Sequence, residues 1–230
     1  KNFKANNFFT LPKDFPFKDY FSLSDPPWKW LTQIKHSLVD YSFENTSIEV
    51  PTNLSIKGKV YIHPTVKLPP YGSIEGPCYI GKNTELRPGI YIRGNVIVGE
   101  NCVLGNSCEF KNTLIFDNAQ IPHFSYVGDS IIGSKVHLGA GVICSNLRLD
   151  QKNIKVFNLD EKMHDTKMRK LGAIVGDGVE VGCNAVLNPG SLLLAGSMVY
   201  PNTTFSGTLN SGEIAHNEQK MSVTRFKSLK

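Results

Sequence analysis

The chain has no apolar run near the ~18 residues that span a bilayer, and no secretory leader is expected. It also has no dense lysine or arginine stripe. Its 25 basic and 20 acidic residues leave a formal charge of +5, which suits a phosphorylated small molecule better than a nucleic-acid groove. The five cysteines match neither a zinc spacing nor a disulfide framework, the usage expected of a protein in the reduced cytoplasm. At 230 residues there is room for one domain with a small attachment, not for two full domains. The first residue is Lys1 rather than Met, so a few preceding residues are expected.

What the chain does have is a period of six. Eleven aliphatic or aromatic residues recur at that spacing, from Val50, Ile56 and Ile62 to Val98, Leu104 and Phe110. The register slips by one and continues at Ile115, Ile121 and Val127, then slips again to Ile132, Leu138 and Cys144. After a long interruption it returns from Val175 to Phe205. Six fits neither the 3.6 of a helix nor a free alternating strand, so it marks a repeat architecture. A small residue four positions on (Thr84, Cys102, Cys108, Ala119, Ala185) also faces inward, and Gly, Asn or Asp often fills the turn. The pattern predicts an all-β parallel β-helix of hexapeptide repeats with three strands per coil. The 23 in-phase positions give about seven to eight coils, a column roughly 35 Å long at about 4.8 Å per coil. Cys78, Cys102, Cys108 and Cys144 occupy inward positions and are expected to be buried.

Three segments leave the repeat. Residues 1–48 form an aromatic, proline-broken arm, then a helix with Trp28, Leu31, Ile34, Leu38 and Tyr41 on one face. That helix is expected to pack on the first coil and cover its open sheet end, with a partner-binding helix as the competing reading. The solenoid spans 49–210 and is interrupted by a loop at 145–174, where seven basic residues stand against four acids; so long a loop in a compact repeat is usually functional. The tail 211–230 is polar, ends on Arg225, Lys227 and Lys230, and is expected to be disordered.

The repeat also works as a ruler. Face A carries hexads opening at Ile74, Ile92, Phe110, Val127 and Cys144; face B those at Ile80, Val98, Ile115 and Ile132; face C those at Leu86, Leu104, Ile121 and Leu138. Arg93 and Lys111 then stack one coil apart on face A. Such a pair repels itself unless an anion lies over both, although a solvated face is the plainer reading. The five-residue hexads Phe110–Leu114 and Val127–Ile131 also stack, and a register change often marks a shaped site. Between them lies His123, outward on face C. A lone histidine is more often structural than catalytic; beside stacked defects and an anion site, it becomes a candidate general base.

The run Arg87-Pro88-Gly89, Tyr91-Ile92-Arg93-Gly94, Glu109-Phe110-Lys111, His123-Phe124-Ser125-Tyr126-Val127-Gly128-Asp129-Ser130, Gly139-Ala140-Gly141 and Asn146-Leu147-Arg148-Leu149-Asp150 resembles the acetyltransferase domain of bifunctional sugar-1-phosphate nucleotidylyltransferase/acetyltransferases over about 60–200. Asn-Leu-Arg and the lysines after it are similar to the archaeal-type members. The resemblance implies a left-handed β-helix, an exception to the usual crossover hand, and a homotrimer with active sites between subunits. It implies acetyl transfer from acetyl-CoA, as co-substrate and with no metal, to the amine of glucosamine-1-phosphate, with the galactosamine epimer as a second acceptor. His123 matches the general base, and the Ala140 amide the donor that steadies the thioester oxyanion. Arg93, Lys111 and Tyr126 match positions that hold the sugar phosphate; Arg87 shares the motif but falls on another face. Asn146, Lys152 and Lys155 match loop positions serving the substrates, Lys155 on the donor side. Ala195 and Cys183 match the coenzyme path.

There are two departures. His137 stands where the family usually has Asn, so it is carried as a substrate contact, and Leu147 replaces the bacterial Tyr. The sequence also holds no Gly-rich nucleotide loop, which leaves nucleotidylyl transfer to a separate protein. Three alternatives fit parts of the pattern: an acyltransferase using another amino-sugar or a carrier-protein donor, a non-catalytic scaffold trimer, and a γ-class carbonic anhydrase. The last needs three histidines around zinc, and the six here are poorly placed for it.

Overall fold

The computed structural model describes residues 3–43, 48–158, 162–218 and 222–223. Each hexad opens a short strand, and the strands align into three parallel sheets of eight, eight and seven members. The ladder on face A runs Ile56, Ile74, Ile92, Phe110, Val127, Cys144, Leu187, Phe205, each residue in register with the next. The Cys144–Leu187 rung shows that the loop is inserted without breaking the column. The architecture is the expected all-β parallel solenoid, with strand counts that match the seven to eight coils. The last strand, Ile214–Ala215, ends five residues beyond position 210, pairing with Met198–Val199 on face C. The basic end of the tail, with Arg225, Lys227 and Lys230, lies outside the described residues.

The corners turn on residues that tolerate the left-handed region. Asn83, Asn101 and Asn118 adopt φ of 56°, 55° and 61° on successive coils, where a short amide side chain lowers the usual penalty. Asn83 also donates its side-chain N–H to Asn101 Oδ1 at 3.2 Å. Inside the column, inward residues form one continuous apolar core, and Cys78, Cys102, Cys108 and Cys144 are buried within it.

A second core lies outside face B. The middle residues of its strands, Ile97, Leu114, Ile131, Ile174 and Leu192, point away from the column, yet they are apolar and fully buried. The arm covers them. Phe9, Phe15 and Trp30 pack around Phe116 with ring centroids 5.3–6.2 Å away. The helix Trp30–Asp40 buries Leu31, Ile34 and Leu38 against the same surface. This corrects the expectation that the helix caps the first coil. An apolar stripe five strands long needs more cover than one sheet end, and burying it removes more area from water. The arm is anchored by polar contacts as well: Asp177 accepts hydrogen bonds from the Thr10 and Ser134 amides at 2.8 Å each, and donates its own amide to Phe8 O. Burial nevertheless pushes the Asp177 carboxyl above its ordinary range.

The inserted loop joins this second core. Its strands Lys155–Phe157 and Met163–Asp165 form an antiparallel hairpin, and Ile154, Val156 and Leu171 are buried among the arm's aromatics.

Candidate active site

Face A gathers four of the expected residues around one that sequence reasoning passed over. Arg93 and Lys111 end adjacent strands, set one coil apart by the Tyr91–Glu109 and Ile92–Phe110 register. They do not stand as a bare like-charge pair. Arg93 Nη1 lies 2.6 Å from Glu109 Oε1, and Lys111 Nζ lies 3.2 Å from Asp129 Oδ2. Asp129 is 5% exposed and sits in the second five-residue hexad. Its carboxylate also accepts from Asn112 Nδ2 at 2.9 Å and from Asn146 Nδ2 at 2.5 Å. Asn146 Nδ2 is in turn 3.1 Å from Tyr126 Oη. Burial pushes the Tyr126 hydroxyl up, with the Asp129 and Glu109 charges adding to it, so it stays protonated at neutral pH and can donate. Gly128 makes room for this cluster: a Cβ there would stand 2.8 Å from Asn146 Nδ2.

A second group lines the corner between faces C and A. His123 ends the strand Gln120–His123 and is half-buried, and its imidazole has no hydrogen-bond partner among the described residues. Phe124 beside it is 58% exposed, with ring centroids 5.9 Å apart. Backbone bonds stack this corner coil on coil: Gly141 N–H to His123 O at 3.1 Å, Asn184 N–H to Ala140 O at 2.8 Å, Asn202 N–H to Cys183 O at 2.9 Å. His123, Ala140 and Cys183 therefore form one column, and the Ala140 N–H donates to nothing among the described residues. Gly139 permits the close stacking, since a Cβ would meet Cys183 N at 2.7 Å. Tyr126 starts the next strand three residues after His123, which links the corner to the face A cluster.

The remaining expected residues stand elsewhere. His137 lies exposed on a face C strand between Gln120 and Glu180, with Nδ1 2.9 Å from Glu180 Oε2. Lys152 and Lys155 are exposed on the loop, and no side-chain hydrogen bond holds either ammonium among the described residues. Near Lys152, Arg148 sits 2.7 Å from Asp150 and draws that carboxyl well below the usual range. Ala195 turns the corner between faces B and C, away from the His123 column. No three His, Cys, Asp or Glu side chains converge to hold a metal among the described residues. The signal for Asp129 is an acid inside a register slip, which in the sequence is indistinguishable from a solvated turn, whereas in the structure its side chain is buried.

Residues 74–214 match the family model described as the GMPPB C-terminal domain. The chain belongs to that family. Among relatives of this GMPPB C-terminal domain chain, the bifunctional sugar-1-phosphate nucleotidylyltransferase/acetyltransferase of Sulfurisphaera tokodaii is 36% identical over 197 residues, covering 86% of this chain and 49% of the relative. The bifunctional protein GlmU of Methanocaldococcus jannaschii is 41% identical over 164 residues, covering 71% and 40%. The chain spans about half the length of the curated relatives it matches. Both activities in the first relative's name are those of the family read from the motifs, and that resemblance holds. Among solved structures, the polySia-specific acetyltransferase NeuO aligns with a TM-score of 0.39 and 15% identity, over 76% of this chain and 85% of its own.

Proposed function

We propose that the chain is an acetyl-CoA-dependent N-acetyltransferase acting on glucosamine-1-phosphate, with galactosamine-1-phosphate as a second acceptor. One observation carries the reading. A half-buried imidazole and a backbone N–H, neither with a hydrogen-bond partner among the described residues, share a corner column one strand from a Lys–Tyr–Asn cluster. In this reading His123 takes a proton from the substrate ammonium, the freed amine attacks the thioester carbonyl, and the Ala140 N–H stabilises the oxyanion before the thiolate leaves.

Arg93 and Lys111 hold the phosphate, by different routes. The Arg93–Glu109 pair is 41% and 33% exposed, the class of surface pair worth about 0.2–1 kcal/mol, so a phosphate dianion displaces Glu109 easily. Lys111 keeps Asp129 and offers its other ammonium hydrogens, while Tyr126 and Asn146 orient the sugar. Cys183 lines the donor path on the His123 column, and in this reading Ala195, Lys152 and Lys155 serve it from a neighbouring copy of a homotrimer with the site between subunits. His137 contacts substrate across that boundary. Attachment of the nucleotide is assigned to a separate nucleotidylyltransferase, and the cytoplasm is the compartment.

A non-catalytic scaffold is the second reading, favoured by the finding that both face A cations are already neutralised by carboxylates. Thiol release from acetyl-CoA separates the two. Turnover that needs glucosamine-1-phosphate and fails with the 6-phosphate supports the enzyme; no turnover from a chain that binds neither substrate leaves the scaffold.

A further inference from the structure

The loop that carries Lys152 and Lys155 is pinned at its stem by the Leu171 N–H to Asn146 O bond at 3.0 Å and the Gly172 N–H to Asp129 O bond at 2.7 Å. Further out, Ile154 N–H donates to Met168 O at 2.8 Å, and the Thr166 hydroxyl to Ile154 O at 2.7 Å. Those inner bonds fix the shape of the hairpin but not its place. Its place is set from two sides. Gly190 lies directly beneath: a Cβ there would stand 2.7 Å from Ile154 Cγ2, 3.3 Å from Val156 Cγ1 and 3.5 Å from Lys155 O, and its φ of +81° is one an L side chain rarely adopts. From outside, the Trp28 ring of the arm sits 6.5 Å from the ring of His164, which is the cross-strand partner of Val156. Trp28 is 8% exposed and backed by Phe3 at 6.2 Å. Strand alternation then sends Ile154 and Val156, each 1% exposed, into the core and leaves Lys155 outward.

We infer that Trp28 and Gly190 are positioning residues that clamp this hairpin and so fix Lys155, which makes the N-terminal arm a working part of the donor side of the site. The inference rests on the reading of Lys155 as a donor-side residue. Its geometric half, the clamp, stands independently of that reading.

The test uses Trp28→Ala, Trp28→Phe and Gly190→Ala in the full chain, with amide hydrogen exchange and steady-state kinetics on each. Trp28→Ala and Gly190→Ala should speed exchange of the 154–158 and 162–168 amides about tenfold while the Ile97 and Leu114 amides stay protected, since a clamped segment opens locally. KM for acetyl-CoA should rise about fivefold with kcat nearly unchanged, the pattern of lost ground-state binding. Trp28→Phe should restore most of both. Unchanged exchange at 154–158 and 162–168 in both truncating variants overturns the clamp. Faster exchange with an unchanged KM for acetyl-CoA overturns the positioning role. If the parent chain transfers no acetyl group, the functional reading fails, and the exchange data alone decide the clamp.

Discussion

Replacing Asp129 with Asn should destabilise the protein without refolding it. The carboxylate receives Lys111, Asn112 and Asn146, and its side chain is only 7% exposed. Charge-assisted bonds of this kind contribute about 1.5–3 kcal/mol, and an unmatched buried donor costs about 1–3 kcal/mol. In Asp129→Asn the new amide N–H must face either the Asn112 or the Asn146 amide, so one donor meets another. Lys111 remains 27% exposed, so water recovers part of the lost pairing. The net cost is then about 3 kcal/mol, toward the lower end of the summed ranges. At 2–4 °C per kcal/mol for a chain of this size, the melting midpoint should fall about 6–12 °C. Scanning calorimetry at two protein concentrations would measure it, because association adds its own stabilisation. Lys111→Met should cost clearly less in the Asp129→Asn background than alone, with a coupling of about 1–2 kcal/mol. A midpoint shift under about 2 °C, or strict additivity of the two changes, would refute Asp129 as the centre of the cluster.

Three further outcomes are expected. His123→Ala should lower kcat by about 10²–10⁴ at unchanged melting behaviour; normal turnover would remove the general-base role. Of the five thiols, only Cys183 is exposed, and burial pushes Cys102 and Cys144 up to about 12, so at pH 8 a disulfide reagent should titrate one thiol quickly and the others only on unfolding. Saturating acetyl-CoA should slow the fast reaction, and an unaltered rate would take Cys183 off the donor path. Phe116→Ala opens the junction between arm and face B at a cost of about 3–5 kcal/mol; limited proteolysis should then cut near Lys13 well before the solenoid, and simultaneous cleavage of both would contradict a separable arm.

The solenoid was readable because its signal is redundant: every inward residue from Ile74 to Cys144 meets an equivalent one coil away. Stacking of Arg93 over Lys111 followed from the same arithmetic. Their partners did not. Glu109 precedes Phe110 on the same strand, and Asp129 crosses a register slip, so their approach depends on side-chain direction rather than on period. The seat of the arm was legible in principle. Ile97, Leu114, Ile131, Ile174 and Leu192 form an apolar row at an outward position, and an outward apolar row asks for cover. The His123–Ala140–Cys183 column needed the length of the inserted loop to be subtracted, which the return of the period at Val175 makes possible.

The placement of the arm has a consequence for biogenesis. Thr10 bonds to Asp177 across 167 positions, and the apolar row that seats the aromatics ends only at Leu192. At about 5–20 residues per second, a ribosome needs roughly 10–40 s to complete that seat after the arm has emerged. Through that interval Phe8, Phe9, Phe15 and Trp30 have no native surface to rest on, and closing so large a loop is an inherently late step. The arm is therefore made well before the surface it rests on and settles late, and nascent chains of this protein should depend on holdase chaperones for these aromatics rather than for the solenoid.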